Sequence, residues 1–424
     1  MSAGWVRVPV GDGAAFGTIR YERLVLVVAR TAMTTEWLLD VLPAVVGDVR
    51  IQVVFTVEDD EPSAYHQGAR ALLAEIDATV LPWDQAMTID FDLIICSTRN
   101  GSLAKLSGPL LITPHGAGYG KLGSLPPGGV IPVPRSGTQH RVPATTVMLS
   151  HPDQAPLFSG HPSEVRLTVI GDPVRDRLAA SMKFRQRYRS ALGLENEERA
   201  ILLSSTWGAA SNLGANPDLP IRLLGELPRD DYRVVISLHS NIWNGHGGWQ
   251  VRTWLREAAR SGAVVLPPGD HWRSALVAAD LMIADHGSTV VYAAALGVPI
   301  VLGAFSEAEL IADAPISEIG RDARRLDLAR PLRSQLDAAI RTHDAARWRS
   351  LGDRVFAEPG RALGNLQAVI YAMLGIEPAA PPRHAEPVPV PRLELPEVTA
   401  VTVLAHQADT DDTGPLTIAL ERFP

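Results

Sequence analysis

The sequence predicts an α/β protein with two doubly wound parallel-sheet domains, and three patterns support this. Short apolar runs of the length of buried strands recur from residue 24 to residue 303 and alternate with stretches of helical periodicity. The alternation stops at a charged segment, residues 195–199, and then starts again. A chain of 424 residues with 46% hydrophobic residues is long enough to fill two such cores. Strands that alternate with helices favour a parallel sheet covered on both faces.

The repeated pattern divides the chain into four parts. The first Rossmann-like domain is expected over residues 1–192, and the second over residues 196–375. Residues 376–397 are rich in proline and show no hydrophobic period, which is typical of a linker. Two apolar stretches within residues 398–424 flank an Asp/Gly/Thr turn, which predicts a β-hairpin tail. The strands are predicted at residues 24–28, 51–57, 91–97, 109–113, 145–149, 166–170, 200–204, 233–238, 263–266, 281–284 and 300–303.

Composition excludes several classes of protein. The formal charge of −8 argues against a broad nucleic-acid surface. The single cysteine, Cys96, lies in an apolar run, so it is expected to be a core residue and neither a disulfide nor a metal ligand. No apolar run approaches the roughly 20 residues that span a bilayer, and the first residues lack a secretion-signal pattern. A cytoplasmic protein with at most peripheral membrane contact is expected.

Residues 280–305 are the most informative stretch of the chain. An apolar strand is followed by the turn Asp-His-Gly-Ser-Thr, a short helix, a Gly-Val-Pro stop and a second strand. Ser288 and Thr289 stand at the helix start, where backbone N–H groups lack partners and the helix dipole favours anions. This predicts a phosphate site that includes His286, Gly287 and both hydroxyl residues. The alternative is an ordinary N-cap with a glycine that relieves a tight bend.

Other candidate residues follow the ends of predicted strands, where ligands gather in open α/β sheets. His115 precedes a loop rich in glycine and proline, and its side chain suits a general base because the pKa of histidine lies near operating pH. The alternative is a loop histidine that only hydrogen-bonds the neighbouring backbone. Lys121 in that loop either neutralises phosphate charge or only holds the loop. His239 follows a strand of the second domain and either stabilises a leaving diphosphate or is an ordinary strand-end residue. Ser205 and Thr206 follow the first strand of that domain and are expected to line the site.

The basic helix predicted at residues 175–194 has two interpretations. It is either a solvated basic face or a patch that meets an anionic acceptor or lipid surface. No cluster of acidic and histidine residues has metal-ligand spacing on one element. No protein-bound metal or other cofactor is therefore expected, and Mg²⁺ would arrive only with a nucleotide.

The two similar domains resemble the GT-B fold of nucleotide-sugar glycosyltransferases, in which two Rossmann-like domains face a cleft. Residues 280–303 look like the donor-binding signature of that superfamily, a GGT- or GST-like turn followed by Gly-x-Pro. Within it, the chain resembles the CDP-glycerol glycerophosphotransferase family, which includes the teichoic acid polymerases. The matching residues are Pro114, His115 and Gly116 with Lys121 and Gly123, then Gly171, Asp172 and Pro173 with Asp176, and then Ser205, Thr206 and Trp207.

Two positions depart from the pattern of that family. Pro114 stands where the family has tryptophan, and residues 285–288 stand where it has D-Y-S-S. The second departure is closer to sugar-nucleotide enzymes. CDP-glycerol, another CDP-alditol and an ordinary NDP-sugar therefore stay open as donors.

The resemblance implies a transferase that moves glycerol phosphate, a related alditol phosphate or a sugar from a nucleotide-diphosphate donor to a hydroxyl acceptor. The acceptor would be a glycopolymer, such as a cell-wall polymer, or a lipid-linked molecule. It gives His115 the role of base and puts the donor in the second domain. Glu307 would lie near a ribose or sugar hydroxyl or be an ordinary surface residue. Trp272 would lie along the nucleobase or pack in the core.

Two other functions are compatible with the same fold. UDP-N-acetylglucosamine 2-epimerases share the two-domain arrangement, but they need several acidic residues converging on the sugar, and none are evident at the strand ends. A nucleotide-binding or scaffold protein without chemistry would also keep the fold. Fold alone does not decide among these functions.

Overall fold

The structure is a computed structural model that describes residues 5–6, 8–10, 17–58, 64–97, 101–120, 144–158, 165–195, 197–395, 398–405 and 416–421. It contains two compact units. Unit 1 takes in the described residues of Met1–Asp176 and Arg354–Ala385. Unit 2 takes in those of Arg177–Asp353 and Glu386–Pro424.

Unit 1 is built on a seven-stranded parallel sheet in the order β3-β2-β1-β4-β5-β6-β7. The strands are β1 Arg23–Ala29, β2 Ile51–Val57, β3 Val80–Leu81, β4 Leu93–Cys96, β5 Leu110–Ile112, β6 Thr145–Leu149 and β7 Val165–Val169. The helices are α1 Ala32–Val41, α2 Ala64–Glu75, α3 Trp83–Ala86, α4 Pro173–Ser181, which crosses into unit 2, and α16 Ala362–Leu374. Val25 and Ile95 are fully buried on one face of the sheet and Leu26 and Ile94 on the other, because helices cover both faces. Cys96 is buried in this core, as predicted.

Unit 2 repeats the arrangement with a six-stranded parallel sheet in the order β10-β9-β8-β11-β12-β13. The strands are β8 Arg199–Ser205, β9 Tyr232–Leu238, β10 Val264–Val265, β11 Leu281–Ala284, β12 Ile300–Leu302 and β13 Arg324–Arg325. The helices are α5 Arg185–Ala191, α6 Asn212–Ala215, α7 Leu219–Glu226, α8 Ser240–His246, α9 Gly248–Trp254, α10 Arg256–Arg260, α11 His271–Ala278, α12 Thr289–Leu296, α13 Pro315–Asp322, α14 Leu332–Arg341 and α15 Ala345–Asp353. The predicted α/β class with two doubly wound parallel sheets is confirmed.

The boundaries of the two units differ from the predicted domain boundaries at residues 192 and 375. Unit 2 starts at Arg177, and unit 1 regains the chain after Asp353. The physical reason is α16, in which Leu366 and Ile370 are fully buried in the core of unit 1. Sequence order assigned this helix to the second domain, but its apolar face completes the sheet of the first.

The Gly-Asp-Pro-x-x-Asp motif holds α16 in place. Gly171 has a φ of +84°, and an added Cβ would lie 2.8 Å from a backbone oxygen of the returning chain. Asp172 accepts a hydrogen bond from the N–H of Arg175 (2.7 Å) at the start of α4. Asp176 accepts from the N–H groups of Gly360 (2.6 Å) and Ala362 (3.1 Å) before α16. These motif residues therefore act in the folding of unit 1.

The proline-rich segment and the tail belong partly to unit 2. Val388 is buried, and its carbonyl accepts a hydrogen bond from the hydroxyl of Tyr188 (2.7 Å). The predicted hairpin is present, with β14 Ala400–Ala405 paired antiparallel to β15 Leu416–Glu421. Strand β14 lies alongside α7. This answers what the hairpin packs against, which the sequence left open.

The basic stretch predicted as one helix is two helices, α4 and α5, joined by the 3₁₀ turn Met182–Phe184. Two of its arginines bind within unit 2. Arg185 donates to a carboxylate oxygen of Asp280 (2.7 Å), and Arg189 donates to the other (2.7 Å). Both also donate to the carbonyl of Ala278 at the end of α11, where a cation complements the helix dipole. These two residues are part of the packing of unit 2 and are not available to an anionic acceptor.

Candidate functional site

The carboxyl ends of β8 and β11 lie side by side at the centre of the unit 2 sheet. The chain order reverses between these two strands, because β9 and β10 lie on one side and β12 and β13 on the other. Such a topological switch point leaves a crevice beyond the strand ends, where ligands bind in open α/β sheets. The sequence-predicted residues Ser205 and Thr206 follow β8, and Asp285 to Thr289 follow β11. Tertiary structure therefore brings the two predicted turns together.

A single carboxylate joins these two turns. Asp285 is buried, and one oxygen accepts hydrogen bonds from the N–H groups of Thr206 (2.8 Å) and Asn212 (3.0 Å). Its other oxygen accepts from the N–H of Gly287 (2.9 Å). Burial raises the pKa of the Asp285 carboxyl, and these backbone donors oppose that shift. We call this arrangement the Asp285 clamp.

The clamp changes which groups remain for an anion. The Gly287 N–H, expected to be open to phosphate, donates to Asp285. An added Cβ at Gly287 would lie 3.2 Å from the Thr206 Cβ, so the glycine permits the close approach of the two turns. Ser288 and Thr289 are half-buried at the start of α12, and the Thr289 hydroxyl lies 3.1 Å from that of Ser204. These two residues form the accessible part of the turn.

Ser205 and Thr206 support the turn from beneath and are 3% and 5% exposed. The Ser205 hydroxyl donates to the Thr206 carbonyl (2.9 Å) and accepts from the Leu213 N–H (3.0 Å). Asn212 donates from its side-chain amide to the carbonyl of Ser204 (2.8 Å). The predicted lining role of Ser205 and Thr206 is therefore replaced by an internal one. Trp207, in contrast, is 51% exposed.

His286 is fully buried within the turn between β11 and α12. Its Nδ1 accepts a long hydrogen bond from the Ser306 N–H (3.4 Å), and its Nε2 lies 3.1 Å from a carboxylate oxygen of Glu309. Its ring meets the Phe305 ring edge-on, with centroids 6.3 Å apart. These contacts connect the turn after β11 to the loop after β12. They place His286 beneath the accessible surface of the turn.

His239 caps the start of α8 at the end of β9. Its ring Nδ1 accepts a hydrogen bond from the Asn241 N–H (3.0 Å), and its backbone N–H donates to the Ser205 carbonyl (2.9 Å). The half-buried ring is therefore fixed beside the β8 turn, one strand from the switch point. This position is consistent with either of its two predicted roles.

Glu307 and Trp272 contact residues outside the clamp. Glu307 is exposed and lies 3.3 Å from Arg325 in an ion pair at the far edge of the sheet. Trp272 is half-buried, with its ring centroid 5.4 Å from that of Tyr292 in α12. Trp272 therefore packs against α12, and its predicted position along a nucleobase stays a prediction.

His115 belongs to unit 1, where it follows β5. The hydroxyls of Ser97 and Thr113 lie 2.6 Å apart and join the ends of β4 and β5 just before Pro114 and His115. The start of the following loop is held down by the Tyr119 hydroxyl, which donates to the Met148 carbonyl (3.1 Å). His115 is half-buried at this strand end. Lys121 lies outside the described residues.

Within the described ranges, no group of three His, Cys, Asp or Glu side chains is placed to hold a metal ion. The expectation that Mg²⁺ arrives only with a nucleotide stays a prediction. No helix in the described part of the chain is long and apolar enough to cross a bilayer.

Asp285 organises the candidate site through its backbone hydrogen bonds, and the sequence placed it in the turn without giving it a role. A charged residue directly after a buried strand and before glycine was the available signal. Asn212 had no comparable signal, because it follows the Trp207 turn in a polar loop. Its place near Ile283 and Gly303 depends on the adjacency of β8, β11 and β12.

The two parallel-sheet units match the GT-B fold, as the superposition on a solved structure of that fold shows. The wall teichoic acid polymerase TagF superposes over 84% of this chain and 89% of its own, with 11% identity and a TM-score of 0.52. A structure of a histidine-to-asparagine variant of TagF superposes with a TM-score of 0.54 at 13% identity. The same variant soaked with CDPG gives 0.51 at 13% identity, over 83% of this chain and 88% of that one. No family model and no curated protein sequence matches the chain.

Proposed function

We propose that the chain is a transferase that holds a nucleotide-diphosphate donor in unit 2. The carrying observation is the Asp285 clamp, which fixes the start of α12 beside the β8 turn at the topological switch point. Ser288 and Thr289 remain at the accessible helix end, where N–H groups and the helix dipole favour phosphate oxygens. We expect these two residues to contact the diphosphate.

The proposed reaction moves glycerol phosphate or a related alditol phosphate from a CDP donor. The acceptor hydroxyl oxygen bonds to the phosphorus that carries glycerol, the bond from that phosphorus to CMP breaks, and His115 takes the hydroxyl proton. His239 and the start of α12 stabilise the leaving phosphate. The motifs around His115, Asp172 and Thr206, together with the fold shared with TagF, support this choice. The acceptor is a glycopolymer or a lipid-linked hydroxyl.

A thermal-shift panel with CDP-glycerol, CDP-ribitol, CDP, UDP, UDP-N-acetylglucosamine and GDP tests the donor site. A ligand that binds only the native state at 100 times its Kd adds about 2.7 kcal/mol of stability. We expect a shift with cytidine compounds, and a smaller one in a Ser288→Ala/Thr289→Val double variant. Ser334→Ala, an exposed serine of unit 2, is the matched control. A shift confined to UDP compounds would indicate that the transferred group is a sugar and not an alditol phosphate. No shift with any compound would contradict the proposed donor site.

His115→Ala tests the proposed base. We expect turnover to fall by about 10²- to 10⁴-fold, the usual contribution of general base catalysis, with the Kd of the donor unchanged. Single-turnover assays together with calorimetric donor binding separate these two effects. His384→Ala, which alters an exposed histidine of unit 1, should leave both unchanged. Full turnover in His115→Ala would exclude His115 as the base.

A further inference from the structure

Unit 2 contains a cavity of about 510 Å³ that the proposed donor site does not use. It opens between the segment after the β8 turn and the helices α8 and α9. None of the residues assigned to the diphosphate, the clamp or the proton transfer lines it. Its volume lies in the range of about 300–1,000 Å³ that is usual for small-molecule sites.

The floor of the cavity is formed by two backbone segments, at Gly208 and at Gly214, that lie in close contact. An added Cβ at Gly214 would lie 2.3 Å from the carbonyl oxygen of Gly208, so only glycine fits there. The Ser211 hydroxyl donates to that same carbonyl (2.7 Å) and accepts from the Gly214 N–H (3.1 Å). At Gly208 an added Cβ would meet no atom within 4 Å, so the space beside that residue is open. The floor is therefore a preformed surface.

One wall of the cavity is aromatic. Helix α8 ends at His246, and Gly247, with a φ of +81°, lets the chain reverse into α9, which ends at Trp254. The two helix ends consequently lie together, with ring centroids of His246 and Trp254 4.8 Å apart and an interplanar angle of 64°. Trp254 is 46% exposed. Leu213 and Ile242 add aliphatic surface beside it.

The rim of the cavity carries one acid and one imidazole. In the described part of the chain, the Asp218 carboxylate has no hydrogen-bond or ion-pair partner, and the His246 ring nitrogens have none. Both residues are exposed to solvent. A carboxylate at the mouth repels phosphates, so the cavity suits a neutral ligand better than a nucleotide.

We propose that this cavity binds a neutral saccharide unit. A sugar ring has a face of C–H groups, which the electron-rich face of the Trp254 indole attracts, and a rim of hydroxyl groups. The Asp218 carboxylate accepts hydrogen bonds from those hydroxyls, and His246 supplies a further polar contact. The small aliphatic wall and glycine floor give the ring a flat seat. This site stands independently of the transfer reaction.

Saturation-transfer NMR and calorimetry with N-acetylglucosamine, glucose, chitobiose and maltose test the proposal, with cytidine and uridine as competing ligands. We expect at least one saccharide to bind and Trp254→Ala to weaken it by about tenfold or more, which corresponds to about 1.4 kcal/mol. Trp249→Ala is the matched control, because Trp249 lies on the same helix, is 76% exposed and does not line the cavity. It should change the affinity by less than about twofold.

Asp218→Asn gives a second variant that keeps the aromatic wall. It should weaken saccharide binding while leaving the melting temperature unchanged, since Asp218 is exposed. Binding of no saccharide would overturn the proposal. So would equal binding by Trp254→Ala and wild type, or Trp254-dependent binding of cytidine or uridine in place of the sugars. Donor binding in the thermal-shift panel is a separate readout, so failure of the cavity and failure of the donor site are distinguishable.

Discussion

Asp285 shows how one side chain makes a site out of two separate turns. Its two carboxylate oxygens accept three backbone N–H groups from segments that are about 80 residues apart in the chain. This leaves Ser205 and Thr206 in a supporting layer, with Ser288 and Thr289 above them. The site residues thus separate into those that hold the turn and those that reach its surface.

Asp285→Asn should destabilise unit 2 by about 1–3 kcal/mol, because an amide cannot accept from all three N–H groups and leaves a buried donor unpaired. Urea unfolding measures the change. Donor-induced thermal shifts should also shrink, since the start of α12 is no longer held against the β8 turn. Asp313→Asn, an exposed acid of the same unit, controls for the loss of charge. An Asp285→Asn variant as stable as wild type would show that the clamp contributes nothing.

At the scale of elements, α12 is positioned by unusually close packing against α15. Gly352 in α15 is buried, and an added Cβ would lie 2.5 Å from the Cα and 2.7 Å from the Cβ of Ala295. The end of α12 is a Schellman motif, with Gly297 at a φ of +73° and N–H groups of Gly297 and Val298 donating to Ala294 and Ala293. Gly297 and Gly352 therefore determine the position of α12 and of the turn that precedes it.

Gly352→Ala should destabilise unit 2 by about 1–3 kcal/mol, because backbone atoms of α12 cannot move aside as a flexible side chain can. Helix propensity alone predicts the opposite sign, a gain of up to about 1 kcal/mol. Gly364→Ala in α16 is the matched control, since its Cβ would meet only Pro382 at 3.6 Å. Thermal and urea unfolding should therefore show a lower stability for Gly352→Ala and an equal or higher stability for Gly364→Ala. Stabilisation by Gly352→Ala would contradict the close packing.

At the scale of the whole molecule, the chain returns to unit 1 after completing most of unit 2. The returning helix is tied to the loop before β2. Asp48 accepts hydrogen bonds from the Tyr371 hydroxyl (2.9 Å) and from Arg50 (2.9 and 2.7 Å). The Arg50 guanidinium also donates to the Glu377 carbonyl (2.8 Å). Hydrogen bonding by Arg50 holds the pKa of Asp48 well below its usual value, although burial opposes this.

Asp48→Asn should therefore lower stability at neutral pH, by about 1–3 kcal/mol for lost charged hydrogen bonds. A depressed carboxyl pKa stabilises the fold above the unfolded pKa of about 4, and this is lost as pH falls toward the folded value. The difference in free energy of unfolding between wild type and variant should accordingly be constant from about pH 5 upward and become smaller below about pH 4. Urea unfolding at a series of pH values measures it, with the exposed Asp84→Asn as control. A pH-independent gap would contradict the assignment.

The local hydrophobic pattern of the sequence predicted most of the strands but not the shortest ones. Strand β11 is apolar throughout and β1 is apolar after Arg23, so the sequence alone located them. Strands β3 and β13 have two residues each, and β13 is a pair of exposed arginines, so no periodicity could mark them. They exist because a neighbouring strand offers open backbone groups.

The sequence by itself determined the two parallel sheets, the turn between β11 and α12 and the hairpin tail, because buried strands and glycine turns are encoded by neighbouring residues. The tertiary structure alone decided that α16 belongs to unit 1 and that Asp285 joins two turns. It also decided that Ser205, Thr206 and His286 lie beneath the surface. These features depend on which strands and helices become neighbours. That adjacency is set by the burial of whole faces and is not written in any single stretch of the chain.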